Sequence, residues 1–291
     1  MKQEEIKKMV REGYARVAKG RRSCCNTANP CCVSTDVREI SKKIGYTDEE
    51  LETVPQGANL GLGCGNPVAL ATLREGEIVL DLGSGAGFDC FLAAQKVGEA
   101  GQVIGVDMTP EMIDKARENA SRSDYGNVGF RLGEIENLPV ADNFVDVIIS
   151  NCVINLSPDK RRVFNEAFRV LKAGGRLMVS DMVLLRELPE SVKGSIAAYV
   201  GCLSGAILKK EYLGGIELAG FQDVRIIDES SLSLDSWTND PTSKAIGESL
   251  GVPHDKVGEI LRAVVSIRVC GVKPNQAWGK TKSDCLTSVT K

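Results

Sequence analysis

The sequence predicts an α/β fold built on a doubly wound parallel sheet, and three observations support this. An apolar strand at residues 78–81 runs into a glycine-rich loop at residues 83–87, Gly-Ser-Gly-Ala-Gly, and then into an amphipathic stretch. Strand-like and helix-like segments alternate from about residue 77 to residue 180, as they do in a parallel sheet with helices on its faces. Residues 144–150 are almost continuously apolar, which is typical of a strand covered on both faces.

The alternating segments have recognisable ends. Pro110 stands in the first turn of the second core helix, where the missing proline N–H costs nothing. Residues 172–175, Lys-Ala-Gly-Gly, end the third helix. The predicted strands cover residues 78–81, 103–107, 128–132, 144–150 and 176–180, and the predicted helices cover residues 88–97, 110–122 and 159–171.

The segment before this core is helical and rich in cysteine. Apolar side chains recur at helical spacing over residues 3–18, which predicts a helix. Turn-forming residues and thiols over residues 20–32 predict a loop. Thr35 or Asp36 is expected to cap a short helix, and Thr47 a second one.

The alternation stops after Asp181. Residues 183–221 look helical, and we expect a substrate-binding insertion there. A strand at 224–227, a helix at 252–263 and a strand at 264–272 are expected to complete the core. The expected division of the chain is a helical, Cys-rich segment at 1–56, a ligand-binding core at 57–181, the insertion at 182–222, C-terminal strands and a helix at 223–274, and a tail at 275–291.

The composition limits the possible partners. With 291 residues, 43% of them hydrophobic, the chain can bury one large core plus appendages. Its formal net charge of -3 and its dispersed Lys and Arg argue against nucleic acid as a partner. The sequence has no N-terminal apolar h-region and no apolar run of about 18 residues. We therefore expect no membrane partner and a cytoplasmic location.

Ten cysteines and one histidine narrow the possible chemistry. In a reducing compartment, cysteines are more often ligands, catalysts or core residues than a disulfide scaffold. A single histidine leaves little room for a histidine metal site or a Ser-His-Asp triad. His254 lies near a predicted helix start, which favours a surface or capping role.

The glycine loop and two acids indicate a nucleotide-like ligand. Asp107 ends the second strand, 26 residues after Asp81 (107 − 81), where an acid can bind both ribose hydroxyls of NAD or S-adenosylmethionine. Asp81, just before the glycines, would repel a pyrophosphate but suits an ammonium or sulfonium group. Gly87 comes one residue early for the G-x-G-x-x-G pattern. S-adenosylmethionine is therefore favoured over NAD, and a purely structural turn is the alternative.

Four successive motifs, at residues 79–87, 106–108, 133–139 and 171–175, resemble those of class I S-adenosylmethionine methyltransferases. The resemblance implies a Rossmann-like methyltransferase sheet and S-adenosylmethionine as cofactor. In that family the acid matching Asp107 holds the ribose. The expected cofactor-binding residues are Asp81, Gly83, Ser84, Gly85, Asp107, Met108, Ile135, Glu136 and Asn151.

Three separated cysteines have small or turn-forming neighbours, which leave the sulfur accessible. Cys152 follows the fourth strand, whose carboxyl end opens at the crevice where doubly wound sheets bind ligands. Cys64 lies in a glycine-rich loop at residues 56–67, and Cys202 lies in the predicted insertion. Three thiols facing a methyl donor favour a soft trivalent centre. Arsenite fits because trivalent arsenic takes three sulfurs and keeps a nucleophilic lone pair; a core role is the alternative for each thiol.

These segments resemble arsenite S-adenosylmethionine methyltransferases over roughly residues 5–272, most specifically at residues 151–156, Asn-Cys-Val-Ile-Asn-Leu. The resemblance implies that trivalent arsenic is bound by Cys64, Cys152 and Cys202. It also implies a further N-terminal cysteine that takes part in thiol exchange. Cys32 matches that position best, while the doubled cysteines at residues 24–25 and 31–32 leave the choice open.

The resulting hypothesis is methyl transfer from S-adenosylmethionine to thiol-bound trivalent arsenic. Arsenite is expected to arrive as a thiol conjugate, with glutathione as the thiol, and to exchange onto the three thiolates. Methylation formally oxidises arsenic to the pentavalent state, so two electrons must return it to the trivalent state. A Cys32–Cys64 disulfide, later reduced by thioredoxin or a small thiol, is expected to supply them.

Other readings concern the remaining cysteines and the reaction. Cys90 is expected to be a core residue. The cysteines of residues 24–32 form a possible zinc site, although adjacent pairs lack the usual C-x₂-C spacing. The alternative functions are methyl transfer to a small organic or lipid substrate, metalloid sequestration without turnover, and an NAD-dependent reaction.

Overall fold

Within the part of the chain that the structure describes, seven strands form one sheet in the order β3-β2-β1-β4-β5-β7-β6. The structure is a computed structural model and describes residues 3–19, 37–123, 125–188, 205–231 and 262–275. The strands are β1 (Ile78–Leu82), β2 (Gln102–Asp107), β3 (Val128–Leu132), β4 (Val145–Asn151), β5 (Leu171–Leu184), β6 (Gln222–Ser231) and β7 (Val264–Val272).

Strands β1 to β5 are parallel, and β7 runs antiparallel between β5 and β6. The strand order reverses between β1 and β4, which pair with each other. In open α/β sheets, ligands bind outside the carboxyl ends of the strands at such a switch point. Asp81 lies there, opposite Gly105 of β2 and Ile149 of β4.

Helices cover both faces of the sheet. On one face, Phe164 and Tyr212 meet edge to face with ring centroids 5.3 Å apart. On the other, Phe91 packs against Phe130 in the same way at 5.9 Å. None of the described helices is long and apolar enough to cross a membrane. They are α1 (Gln3–Ala18), α2 (Val37–Lys43), α3 (Asp48–Thr53), α4 (Pro67–Leu70), α5 (Phe88–Val97), α6 (Pro110–Ser121), α7 (Lys160–Val170) and α8 (Lys209–Leu218), with a 3₁₀ turn at Ile154–Leu156.

The starts of α3 and α6 agree with the local sequence signals that predicted them. Thr47 caps α3, because its hydroxyl accepts a hydrogen bond from the Glu50 N–H at 3.2 Å. The Glu50 carboxylate in turn accepts from the Thr47 N–H at 3.0 Å, which completes a capping box. Pro110 occupies the first turn of α6.

The predicted bounds of β5 are wrong in two respects. Strand β5 extends well beyond the predicted 176–180, and its last two residues, 183 and 184, were predicted to be helical. The cause is β7, since Leu184 pairs with Val264, a distant partner that no local pattern reveals. Helix α8 lies within the predicted helical stretch, whereas residues 189–204 lie outside the described residues.

Candidate active site

The glycine loop between β1 and α5 depends on the absence of side chains. Gly83 has φ 69°, and a Cβ there would lie 2.3 Å from Cγ2 of Val153. Gly87 has φ 94° at the start of α5, and a Cβ there would lie 2.7 Å from the Phe130 ring. Glycine alone meets both conditions. The loop therefore brings bare backbone, and the free N–H groups of α5, to the carboxyl end of the sheet.

Asp107 joins this loop to the next one. Its carboxylate accepts hydrogen bonds from the N–H groups of Gly85 at 3.0 Å and Thr109 at 2.8 Å. Burial raises the pKa of Asp107, although these donors oppose the rise. The carboxylate thus lies at the end of β2, where the sequence predicted a ribose-binding acid.

Asp81 is a second buried acid, only 2% exposed. Burial raises its pKa well above the usual range, and the neighbouring carboxylate of Asp89 adds to the rise. Ionising Asp81 is therefore costly in this environment. A cationic group beside it would offset that cost by favouring the carboxylate.

These residues line one cleft of about 1020 Å³, a volume that includes its solvent-filled mouth. Cys152 lines the same cleft. The Ser84 hydroxyl is buried without a hydrogen-bond partner among the described residues, and a Cβ at Gly85 would meet open space. An elongated, cationic, ribose-bearing molecule such as S-adenosylmethionine fits these features. All nine residues predicted to bind it line the cleft, namely Asp81, Gly83, Ser84, Gly85, Asp107, Met108, Ile135, Glu136 and Asn151.

Helix α1 forms one wall of the cleft. The Lys7 ammonium lies 2.7 Å from the Glu134 carboxylate and 3.6 Å from that of Glu136. Val10 is 1% exposed and packs in one apolar cluster with Cys152. The N-terminal helix therefore contacts both the predicted cofactor residues and a predicted acceptor thiol.

Two of the predicted arsenic-binding cysteines, Cys64 and Cys152, are joined by a disulfide, with their Cα atoms 5.9 Å apart. Cys152 has φ 55°, and its N–H donates to the Ser180 carbonyl at 2.8 Å. In this structure Cys64 is thus bonded to Cys152, whereas the sequence analysis expected a Cys32–Cys64 disulfide. Cys32 and the third predicted ligand, Cys202, lie outside the described residues.

Known proteins resemble this chain in sequence over most of its length. A family model described as a methyltransferase domain matches residues 73–220. The arsenite methyltransferase of Halobacterium salinarum is 48% identical over 256 residues, which cover 85% of this chain but only 65%, less than two thirds, of that relative's length. The human arsenite methyltransferase is 35% identical over 278 residues, covering 90% of this chain and 71% of its own. The chain belongs to the arsenite methyltransferase family.

A solved structure agrees with membership of the arsenite methyltransferase family. CrArsM, an arsenic(III) S-adenosylmethionine methyltransferase from Chlamydomonas reinhardtii, superposes with a TM-score of 0.60 at 32% identity. The match covers 82% of this chain and 73% of the CrArsM chain. It therefore extends over most of the fold, well beyond the glycine loop.

Sequence analysis missed one residue of this arsenite methyltransferase-family site, Asp181. Its carboxylate and the sulfurs of Cys64 and Cys152 all lie within 4.8 Å of one another. The carboxylate is fully buried and accepts hydrogen bonds from Asn155 Nδ2 at 2.8 Å and the Tyr212 hydroxyl at 3.0 Å. Burial raises its pKa to about 7. The available signal was an acid after an apolar strand, as in β1 and β2.

Two other described cysteines lie in the core of the fold and do not line the cleft. Cys90, predicted to be a core residue, is fully buried in α5, and Cys270 is buried in β7. Cys90 forms no disulfide with another described cysteine. His254 and the cysteines of residues 24–32 lie outside the described residues.

Proposed function

We propose that this chain transfers a methyl group from S-adenosylmethionine to trivalent arsenic held by cysteine thiolates. One observation supports this above all. Cys152, bonded to Cys64, lines the same cleft as all nine residues predicted to bind the methyl donor. A bound donor and a thiol-bound acceptor would share one cavity, so that alignment of the two reactants lowers the barrier.

The donor half of the proposal assigns a task to each group of residues. S-adenosylmethionine supplies, when bound, an electrophilic methyl group on a sulfonium. Asp107 would accept hydrogen bonds from its ribose hydroxyls, and Asp81 would face its ammonium group. Ser84, whose hydroxyl has no partner among the described residues, would gain one. Ile135 and Glu136 would lie along the adenine.

The acceptor half uses the soft chemistry of sulfur. We propose that arsenite arrives as a thiol conjugate with glutathione and exchanges onto Cys64, Cys152 and Cys202. Thiolates suit a soft trivalent centre better than oxygen ligands do. The arsenic lone pair forms the new As–C bond while the C–S bond to the methyl group breaks with its electron pair. No general base is needed for that step, which suits a chain with one histidine.

The electron balance gives the disulfide a role. Methyl transfer leaves arsenic formally pentavalent, and two thiolates that become one disulfide return the two electrons. The 5.9 Å between the Cα atoms of Cys64 and Cys152 lies in the normal range for such a bond. We propose that Cys32 then exchanges onto Cys64, and that thioredoxin or a small thiol reduces the Cys32–Cys64 disulfide. This need for reduced thiols makes the cytoplasm the proposed compartment.

The test is formation of S-adenosylhomocysteine by the purified chain, with and without arsenite, in the presence of a thiol reductant. We expect arsenite-dependent formation in the wild type and its loss in Cys152→Ser, with unchanged affinity for S-adenosylhomocysteine. Cys270→Ala removes a buried thiol outside the cleft and should stay active. Formation of S-adenosylhomocysteine that does not depend on arsenite would instead favour a small organic or lipid substrate.

A further inference from the structure

The Asn151 side chain lies where three segments of the site meet. It ends β4, and its Oδ1 accepts a hydrogen bond from the Cys64 N–H at 3.0 Å. Its Nδ2 lies 2.7 Å from the Gly65 carbonyl, 2.9 Å from the Tyr46 hydroxyl and 3.2 Å from the Asp89 carboxylate. Asn151 therefore holds the backbone of the Cys64 loop from both its donor and its acceptor side.

These contacts occupy most of the hydrogen-bonding capacity of the amide. A carboxamide has two N–H donors and two lone pairs on its oxygen. Three acceptors already surround Nδ2 of Asn151, and the Cys64 N–H occupies one lone pair of Oδ1. One lone pair is left for a bound molecule, so the side chain is directed mainly at the protein.

The loop around Cys64 is shaped to receive this amide. A Cβ on Gly63 would lie 2.8 Å from Asn151 Nδ2, and a Cβ on Gly65 would lie 2.0 Å from the Ser180 hydroxyl. The absence of a side chain at Gly63 therefore allows the close approach of the Asn151 amide, and its absence at Gly65 allows that of Ser180. On the opposite side, the Ser266 hydroxyl donates to the Cys64 carbonyl at 2.9 Å. The backbone of Cys64 is thus fixed at its N–H and at its carbonyl by two side chains.

The same amide is fixed in turn by the helix after the glycine loop. The Tyr46 hydroxyl donates to Asp89 at 2.7 Å, and both residues are buried. Asp89 stands in the first turn of α5 and lines the cleft. Asn151 thereby connects the donor side of the cleft to the loop that carries Cys64.

We propose that Asn151 is a positioning residue that sets the Cys64 thiol against the Cys152 thiol, rather than chiefly a ligand of the methyl donor. The proposal rests on the proposed function for its catalytic meaning. Its structural content is independent of arsenic, because it concerns how readily two thiols of the resting chain meet. Loss of the amide should lower their effective concentration, and with it the tendency to form the Cys64–Cys152 disulfide.

The experiment equilibrates the full chain in glutathione redox buffers and measures the oxidised fraction of the Cys64–Cys152 pair by differential alkylation and peptide mapping. In Asn151→Ser we expect the equilibrium constant for this disulfide to fall tenfold or more, on the order of 1.4 kcal/mol or above, with little change in affinity for S-adenosylhomocysteine. Asn127→Ser is the matched control: it removes an amide that donates to the Gly98 carbonyl at 2.8 Å, and it should leave the disulfide unchanged.

Two further measurements keep the proposal testable. If Asn151→Ser does not fold, Asn151→Asp has the same shape and keeps the acceptor for the Cys64 N–H but loses the donor to Gly65, so the disulfide should still weaken. An unchanged disulfide together with a tenfold loss of S-adenosylhomocysteine affinity would overturn the proposal and make Asn151 a donor ligand. The redox titration contains no arsenic, so its result does not depend on the proposed reaction. Failure of the proposed reaction would appear separately, as a wild-type chain that shows no arsenite-dependent turnover.

Discussion

The Cys90 thiol donates a hydrogen bond to the Asp81 carboxylate across 3.2 Å. The first full turn of α5 thereby holds the acid that precedes the glycine loop, and both groups are buried. The core role predicted for Cys90 is thus combined with a polar contact to the cleft. A buried carboxylate is costly without donors, so this thiol helps to fix the acid that would face the ammonium group of the donor.

Replacing Cys90 should accordingly weaken binding of the methyl donor, although Cys90 itself does not line the cleft. In Cys90→Ala we expect the affinity for S-adenosylhomocysteine to fall several-fold, on the order of 1 kcal/mol, because a thiol is a weak donor. Cys90→Ser keeps a donor of similar size and should bind nearly as the wild type does. Calorimetric titration of the three proteins measures this, and equal affinities for Ala and Ser would show that the contact is unimportant.

The wall formed by α1 gives a second prediction. The Lys7 side chain is 12% exposed between Glu134 and Glu136. The Lys19 side chain, one residue past the end of α1, is 56% exposed where it pairs with Glu111 of α6. Exposed pairs contribute about 0–1 kcal/mol, and partly buried ones hold their partners more firmly. Lys7→Ala should therefore weaken donor binding several-fold, on the order of 1 kcal/mol.

Lys19→Ala is the control for the α1 wall. It removes the lysine that directly follows α1 and does not line the cleft of the candidate active site. Titration with S-adenosylhomocysteine at low and moderate salt compares the two variants. If Lys19→Ala and Lys7→Ala reduced the affinity equally, a general loss of positive charge from the N-terminal segment would explain the effect and the specific contact would be refuted.

Buried carboxyls make the stability of the chain depend on pH. Burial raises the pKa of Asp181 from 3.8 to about 7 and that of Asp89 to about 6. Between pH 3.8 and these raised pKa values, the folded chain keeps protons that the unfolded chain has released. The free energy of unfolding contributed by these groups therefore decreases as the pH rises through that window.

Asp181→Asn removes one of these titrating groups. Whatever the variant loses at acid pH, its free energy of unfolding relative to the wild type should rise between about pH 4 and about pH 7 and then level off. In that window the wild-type acid ionises in the unfolded chain but stays protonated in the folded one, whereas Asn does not titrate. Urea denaturation of both chains across this range measures the difference. Parallel pH profiles would mean that Asp181 titrates normally in the folded chain.

How much of the fold can be predicted from the sequence depends on whether the interactions that form each element are local or tertiary. The first four strands and the capping of α3 follow from local patterns, so their predicted bounds hold to within one residue of the structure. The length of β5 does not, since Leu184 is held by Val264 from a distant part of the chain. The antiparallel insertion of β7 between β5 and β6 is likewise a tertiary feature.

The candidate site likewise has a part that local motifs predict and a part that depends on tertiary contacts. Its acids and glycines stand in motifs, and they line the cleft as expected. The partner of Cys64 could not be predicted from spacing, because Cys152 lies 88 residues away in the sequence. Asp181 stands in no motif of the sequence. Its carboxylate is buried beside the thiols and accepts a hydrogen bond from Tyr212 of α8, and these are tertiary contacts.

The glycine loop offers the sharpest steric test. A Cβ at Gly83 would overlap Val153 at 2.3 Å, and φ is 69° there, so Gly83→Ala must displace the loop or the segment after β4. We expect a loss of stability of about 1–3 kcal/mol and loss of measurable donor binding. Gly126→Ala, where the added Cβ meets open space, is the control and should leave both properties unchanged. Chemical denaturation and titration with S-adenosylhomocysteine measure the two effects. Wild-type affinity in Gly83→Ala would mean that the loop tolerates a side chain, and that its close approach to Val153 is not what shapes the donor half of the cleft.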